Sequence, residues 1–424
     1  MAVTRLAGLG GPNIIIDEDR QREILSAAVE KIGVKRGKVL LLPPDRTRGQ
    51  SGAGPLTRMA CELLPGCEID IMPALGTHVA MSADQLTAMF GRIPRGRFVE
   101  HRWRSDLKRL GEVPGEFVKE VSGGVVDYPI PIEINRRLTE GGYDLILSIG
   151  QVVPHEVVGM ANGSKNIFVG AGGQETINRS HFLGAAYGME RMMGRIDTPV
   201  RKVFDYADDR YLSGLPIRYV LTVVGRDGEG RLVMRGLFVG DGQKTFREAA
   251  ALSQQVNLNY LDEPLKKVVV YLDPHEFSST WLGNKSIYRT RMAIADRGEL
   301  IVIAPAVKEF GEDPEIDRLI RKYGYRGTQA TLAAVSANQD LRGNLSAAAH
   351  LIHGSSEGRF TIIYATDPAK LSRAEVESVG FQWMPLADAL KLYDPSKLKD
   401  GPQGDFFYVS NPALGLWALR SRFA

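Results

Sequence analysis

The chain has 424 residues, and 53 basic against 50 acidic side chains leave a formal net charge of +3. That length calls for two or three domains, and 44% hydrophobic with 24% charged residues is the composition of an ordinary globular protein. The near-balanced charge gives no footing for nucleic acid or an anionic membrane as partner, whereas a small anionic ligand needs only one or two well-placed cations. Two cysteines, Cys61 and Cys67, exclude a disulfide framework and suit a reducing compartment as ordinary thiols. No apolar run nears the ~20 residues that span a bilayer. Met1 to Gly11 has neither the basic start nor the apolar core of a secretion signal, so a cytoplasmic location is the expectation.

Taken in chain order, short apolar runs end in turn signals: Val39 to Leu42, Ile69 to Met72, Leu145 to Ile149, Tyr219 to Val224, Val268 to Leu272, Leu300 to Ile303 and Thr361 to Tyr364. Most lack alternation, as in strands buried on both faces. Helix-like stretches such as Arg20 to Ile32, Leu56 to Leu64 and Phe246 to Gln255 lie between them. The pattern predicts an α/β protein of two domains with mostly parallel sheets. The turn-rich run from Asn259 to Pro264 separates a first domain, 1–263, from a second, 265–405. The apolar tail, 406–424, is expected to return to the first domain.

In open α/β sheets ligands bind beyond the carboxyl ends of the strands, so the polar residues just past the apolar runs carry the chemistry. After the first run come Asp45, Thr47 and Arg48: an acceptor and a planar cation suited to clamping a carboxylate or phosphate, or equally a capped turn. After the second come Gly76, Thr77 and His78, a histidine placed for proton transfer near neutral pH. His101, in His-Arg-Trp-Arg, reads as part of a solvated face. After the third come His155-Glu156, Gly163-Ser164-Lys165, the glycine-rich 170–173 and Ser180-His181. Two histidines, a lysine and several glycines allow close backbone approach to a ligand, but they form no HExxH or cysteine zinc pattern. No dinucleotide-binding glycine fingerprint follows a strand either.

Asp45-x-Thr47-Arg48, Gly76-Thr77-His78, and His155 with Lys165 ten residues on and His181 sixteen beyond, together resemble the lactate racemase family. The resemblance implies two α/β domains with the active site in the cleft between them. It also implies a nickel-pincer nucleotide, a pyridinium mononucleotide bearing Ni. By position, Lys165 would attach that cofactor covalently and His181 would be the metal ligand, with Asp45, Thr47, Gly163 and Ser164 also on the cofactor. His78 and His155 would be the catalytic acid/base pair. Arg48, Tyr288 and Arg289 would bind the substrate, a small 2-hydroxy acid, and the enzymes that synthesise the cofactor would be partners. Inverting a carbinol carbon beside a carboxylate by proton abstraction makes a dianion, whereas removing hydride leaves a planar 2-keto acid. Two bases are then needed, one for each enantiomer.

The second domain departs from that pattern. Where the family's lactate enzymes carry a glutamine and then a lysine after a tyrosine, this chain has Arg289 and Met292 after Tyr288, and 339–345 holds no tryptophan. Ser278, Ser279, Thr280, Lys285, Arg289 and Arg291 crowd the same stretch. The expectation is a racemase or epimerase for a larger, more polar 2-hydroxy acid, such as the aldonic acid gluconate, or malate. The alternative is a non-catalytic binding or sensing protein of the same fold.

Overall fold

The computed structural model describes residues 5–423; residues 1–4 and 424, which include the start of the N-terminal reading and the end of the tail, lie outside it. The chain divides into unit 1, Met1–Leu183 with Met193–Asn257, and unit 2, Gly184–Met192 with Leu258–Ala424. The division thus falls just ahead of the turn-rich 259–264, and 184–192 goes with unit 2.

Unit 1 is built on a sheet of β1 (Arg5–Gly10), β2 (Gly37–Leu42), β3 (Cys67–Ile71), β4 (Leu145–Gln151), β5 (Ile217–Arg226) and β6 (Leu232–Gly240). Their spatial order is β1-β6-β5-β4-β2-β3. β2 pairs in parallel with both β3 and β4, β4 pairs in parallel with β5, and β1 and β6 form an antiparallel edge. Val39, Leu40, Leu41 and Leu42 are all wholly buried, because a parallel strand covered on both faces has no polar side to keep. Around the sheet, α1 (Glu18–Ile32) is capped by the Asp17 carboxylate and stopped by left-handed Gly33, and it buries Ile24, Leu25 and Ala28. α2 (Ala53–Leu63), α3 (Gln174–Tyr187), α4 (Pro199–Ala207) and α5 (Gly242–Asn257) complete the unit's main helices, α3 running on into the 184–192 segment.

Strand order reverses between β2 and β4, the place where such sheets open a crevice. Asn166 spans it: its Nδ2 donates to the Leu42 carbonyl at 3.2 Å and to Ser148 Oγ at 2.9 Å. The turn after β3 is tied to the same region, since the Gly76 amide donates to the Gly170 carbonyl at 2.8 Å. Gly76 sits at φ +59°, where a side chain would also press on the Val169 carbonyl.

Unit 2 has a second six-stranded sheet, and its strands are numbered on from β7 (Leu258–Leu261), which stands outside that sheet. β8 (Leu265–Tyr271), β9 (Ile294–Ala304), β10 (Thr361–Thr366), β11 (Gln382–Pro385), β12 (Gly401–Pro402) and β13 (Phe407–Val409) lie in the order β11-β10-β9-β8-β13-β12. All neighbours are parallel except β12 and β13. The tail does not return to the first domain: β13 pairs with β8, and β14 (Leu416–Leu419) pairs with β7. Its apolar run reads as it does because it fills this unit's own sheet.

Cys61 and Cys67 are free thiols. Among the described residues no helix is long and apolar enough to cross a membrane. His101 corrects the solvated reading of its run. It is buried, its Nε2 donates to the Gly172 carbonyl at 3.1 Å, and its Nδ1 accepts from Asn135. Burial pushes its imidazole down to about 4, so it is a neutral strut beneath the glycine-rich turn.

The Asn166 bridge should be measurable. Asn166→Ala leaves the Leu42 carbonyl and the Ser148 hydroxyl without that donor, and should lower unfolding free energy by about 1–3 kcal/mol. A urea midpoint indistinguishable from wild type would show that the bridge holds nothing.

Candidate active site at the carboxyl ends of the unit 1 sheet

Asp45 stands at the end of β2 and caps the short 3₁₀ helix Arg46–Ser51. Its Oδ1 accepts from the Thr47 amide at 3.1 Å and from the Thr47 hydroxyl, while Oδ2 accepts from His78 Nδ1 at 2.7 Å. Burial alone would raise this carboxyl, but the hydrogen bonds and charge of His78, with Thr47, outweigh it and the net shift is downward. The capping role and the charged role, which the sequence leaves as alternatives, are therefore both filled by one carboxylate. Thr47 donates its hydroxyl to Asp45, and Asp45 orients a histidine, so the two residues expected on the cofactor also hold each other and His78.

His78 is about half exposed. Since Nδ1–H faces a carboxylate, its Nε2 carries the lone pair. His155 is in the opposite state. It is buried, and its Nδ1 accepts from the Val157 amide at 3.2 Å, which puts the ring proton on Nε2. Burial drives its imidazole well below the ordinary value; Glu156 opposes this, while Lys165, Arg48 and His181 reinforce it. Those couplings bring Arg48, His155, Lys165 and His181 into one neighbourhood of unit 1.

Lys165 opens the tight turn Asn166–Gly170. Burial lowers its ammonium to about 8, helped by Arg48 and Arg201 and opposed by Glu156 and Asp45. An amine in this state is partly unprotonated at neutral pH and can act as a nucleophile. Among the described residues neither Lys165 nor Arg48 has a hydrogen-bonded or ion-paired side-chain partner, and an unused guanidinium fork matches a carboxylate. His181, on α3, has Ser180 Oγ 3.5 Å from its Nδ1. Among the described residues no cluster of three or more His, Cys, Asp or Glu side chains is arranged to hold a metal ion. The donor chemistry on offer is one imidazole and one activated amine. That suits a metal whose other ligands belong to an organic group, itself linked to the amine.

Gly163 and Ser164 support the loop. Gly163 lies at φ +63°, with its Cα against the Phe246 ring, and Ser164 Oγ accepts from Arg201 at 3.2 Å. Tyr288 and Arg289 belong to unit 2, on the helix Lys285–Thr290, and both are buried; Arg289 Nη1 donates to the Gly415 carbonyl at 3.3 Å. Much of the polar stretch around them is structural. Ser279 caps the helical turn Thr280–Gly283, and Thr280 donates to the Phe310 carbonyl. Arg291 pairs with Glu190 at 3.1 Å and donates to the Ser355 carbonyl. Met292 is buried, and its carbonyl accepts from Leu419 of the tail.

Two residues that serve this site escaped the sequence reading. Asn166 hides beside the lysine, and nothing in its local pattern marks it. Arg201 carried a signal: it lies with Val200, Val203, Phe204 and Ala207 on the buried side of α4, and an arginine on an apolar stripe is a charge held there for a purpose.

Residues 12–192 match the family model of the lactate racemase N-terminal domain. Among solved structures, a protein of Thermotoga maritima superposes with a TM-score of 0.82 at 26% identity, covering 97% of this chain and 100% of that one. The lactate racemase apoprotein of Thermoanaerobacterium thermosaccharolyticum superposes with a TM-score of 0.68 at 17% identity, covering 92% of this chain and 88% of that one, a likeness of fold. No curated protein matches in sequence. The matched segment holds Asp45, Arg48, His78, His155, Lys165 and His181, so the part of the chain that carries these residues is similar to the lactate racemase N-terminal domain.

Proposed function

We propose that this protein is a racemase or epimerase that inverts C2 of a 2-hydroxy acid, using a nickel-pincer nucleotide attached at Lys165 and ligated through nickel by His181. One observation carries the reading: an activated lysine, an uncommitted arginine and three histidines gather beyond β2, β3 and β4, with two of the histidines held as opposite tautomers. When bound, such a group supplies an acceptor for the C2 hydride, so that the substrate passes through a planar 2-keto acid.

The chain's own residues handle the carboxylate and the protons. Arg48 would hold the carboxylate through its fork. His78, its Nδ1–H fixed on Asp45, takes the hydroxyl proton at Nε2. His155, whose ring proton lies on Nε2, would donate a hydrogen bond to the keto oxygen, and would return a proton to it only from the imidazolium formed when a second proton is taken up. For the opposite enantiomer the roles exchange. Arg289 and Tyr288 would read the far end of the substrate. With Met292 at the place of the family's lysine, a second carboxylate or a polyhydroxy tail suits that end better than the methyl of lactate.

Intact mass of protein made beside the cofactor-synthesis enzymes should show a nucleotide-sized adduct on Lys165, absent in Lys165→Ala. In His181→Ala the adduct should persist while nickel content falls. Active protein with unmodified Lys165 and no nickel would end this reading. A test without cofactor exists as well. The folded amine titrates at about 8, against about 10.4 when unfolded. Burying the ammonium thus costs stability below pH 8, and the cost fades as pH rises through that window. Lys165→Met should therefore stabilise the protein at pH 7, with the gain gone by pH 10.5.

His78→Ala and His155→Ala should each lower kcat by about 10²-fold or more while sparing attachment. Asp45→Asn should act through His78 and cost about 10²–10⁴-fold, as when an orienting carboxylate is replaced by an amide. Its effect on stability follows from the lowered Asp45 carboxyl. The contribution is present above the ordinary carboxylate range and lost as pH falls through the lower folded value, so wild type and Asp45→Asn should converge in acid. Near-normal turnover in any of the three variants contradicts the two-base account.

In a screen of 2-hydroxy acids, gluconate or malate should exceed lactate by at least about 10²-fold in kcat/KM, since a site that hydrogen-bonds a substrate group rejects analogues lacking it. Arg289→Gln should erode that preference more than it harms cofactor attachment. Lactate as the best substrate would make Arg289 a purely structural residue.

A further inference from the structure

The segment between His155 and Lys165 has little secondary structure of its own. Its one ladder, Pro154–His155 against Gly159–Met160, is two residues long. Beyond it the backbone turns through Gly159 at φ +84°, Asn162 at +67° and Gly163 at +63°. Asn162 in this region is uncommon and is held there only by its surroundings. The surroundings are the first turn of α4. Thr198 Oγ1 donates to the Val158 carbonyl at 3.1 Å. Arg201 Nη2 donates to the Met160 carbonyl at 2.8 Å and the Asn162 carbonyl at 3.1 Å, and its Nη1 to Ser164 Oγ at 3.2 Å. Two side chains thus grip every second residue from 158 to 164, ending beside the lysine.

Arg201 is itself 2% exposed, and its guanidinium carbon lies 3.9 Å from the centroid of the Phe246 ring, which also backs Gly163. No carboxylate forms a salt bridge with it among the described residues. A buried guanidinium without an ion pair is expensive unless its donors are well used. Here three hydrogen bonds go to one strained segment. A planar fork can serve three acceptors spread along a bent backbone, whereas an ammonium presents its donors from a single point.

We propose that Arg201 is the positioning residue of this enzyme: its fork sets the backbone from Met160 to Ser164 and thereby holds Lys165 in place for cofactor attachment. The inference rests on the reading of Lys165 given above. Arg201 acts on Lys165 through the loop and, as a nearby positive charge, on its titration, and Arg201→Lys, which keeps the charge, separates the two effects. Beside Arg201, Ser164, Asp205, Asp208, Tyr219, Gln243 and Phe246 line a small cavity with room for about one water, and truncating Arg201 to alanine would add the volume of its own guanidinium to that space.

The test uses apo protein. In Arg201→Ala, amide hydrogen exchange across 158–165 should quicken by about tenfold or more, and the pH midpoint for acetylation of Lys165 should rise toward that of an ordinary lysine. Millimolar guanidinium should restore both, and methylammonium should restore neither. Arg201→Lys, which keeps the charge and most of the volume, should fold and still show the loosened segment. Should Arg201→Ala fail to fold, Arg201→Lys alone decides. A folded variant with wild-type exchange at 158–165 and an unmoved Lys165 midpoint overturns the proposal, as does rescue by methylammonium equal to that by guanidinium. The two readings part cleanly. If wild-type Lys165 never takes an adduct, the cofactor reading falls, while exchange and acetylation still decide whether Arg201 sets the loop.

Discussion

Lys165 and Arg48 are two cations held near each other at the carboxyl end of a parallel sheet, with water largely removed from the amine. Left alone, such an arrangement relaxes by swinging a side chain into solvent or by keeping the amine neutral. Here the lysine is kept from swinging. Asn166, its neighbour, is clamped across β2 and β4, and the loop before it is gripped from α4. The amine consequently stays depressed, and the stability sacrificed there is recovered in the apolar strands beneath it. Val39 to Leu42 and Ile146 to Ile149 supply a base that does not yield. The rigid sheet and the strained loop are two parts of one device: the first makes the second tolerable.

The same constraint explains why the two histidines differ. His78 hangs from a glycine turn, about half exposed, and takes its orientation from a carboxylate. His155 is packed under the loop among Arg48, Lys165 and His181, where a further positive charge is unwelcome. Racemisation needs one group that accepts a proton and one that gives it, and a pair of identical imidazoles would have to be sorted at each turnover. Unequal surroundings give the two rings different tautomers at rest, and each must still take up and return a proton if both enantiomers are to react. Asp45 ties this to the fold, since one carboxylate oxygen caps the 3₁₀ turn carrying Arg48 while the other orients His78. Any motion that frees the cap therefore disturbs the carboxylate clamp and the base together.

Much of this was legible beforehand because it depends on residues local to strand ends. The buried parallel strands announce themselves as unbroken apolar runs, and each of the three polar clusters follows one of them directly. What was hidden is tertiary. β1 and β6 carry glycines and lie at an antiparallel edge, so they show no continuous apolar signal. His101 looks solvated because its neighbours are charged, yet it alone turns inward to hold the Gly172 carbonyl. The destination of the tail is hidden as well, because an apolar run says that it is buried and not against what; its partners, β8 and β7, are set by crossovers no local pattern records.

The polar stretch from Ser278 to Arg291 shows how that limit bears on specificity. Read as sequence, nine polar side chains besides Tyr288 in fourteen positions look like a pocket built for a polar ligand. In the fold, Ser279 and Thr280 serve helix ends and loop carbonyls, and Arg291 is committed to Glu190 and Ser355. Met292 is locked through its backbone to Leu419, so even a lysine at that position would start from a main chain fixed by the tail. The number of polar groups therefore argues little about the substrate, and the burden falls on Arg289. Its Nη1 donates to the Gly415 carbonyl at 3.3 Å, so it too has a structural task in unit 2. A single guanidinium is sufficient for a distal carboxylate or a pair of hydroxyls. The polarity of the segment therefore reports first on how unit 2 is held together, and does not by itself describe a pocket.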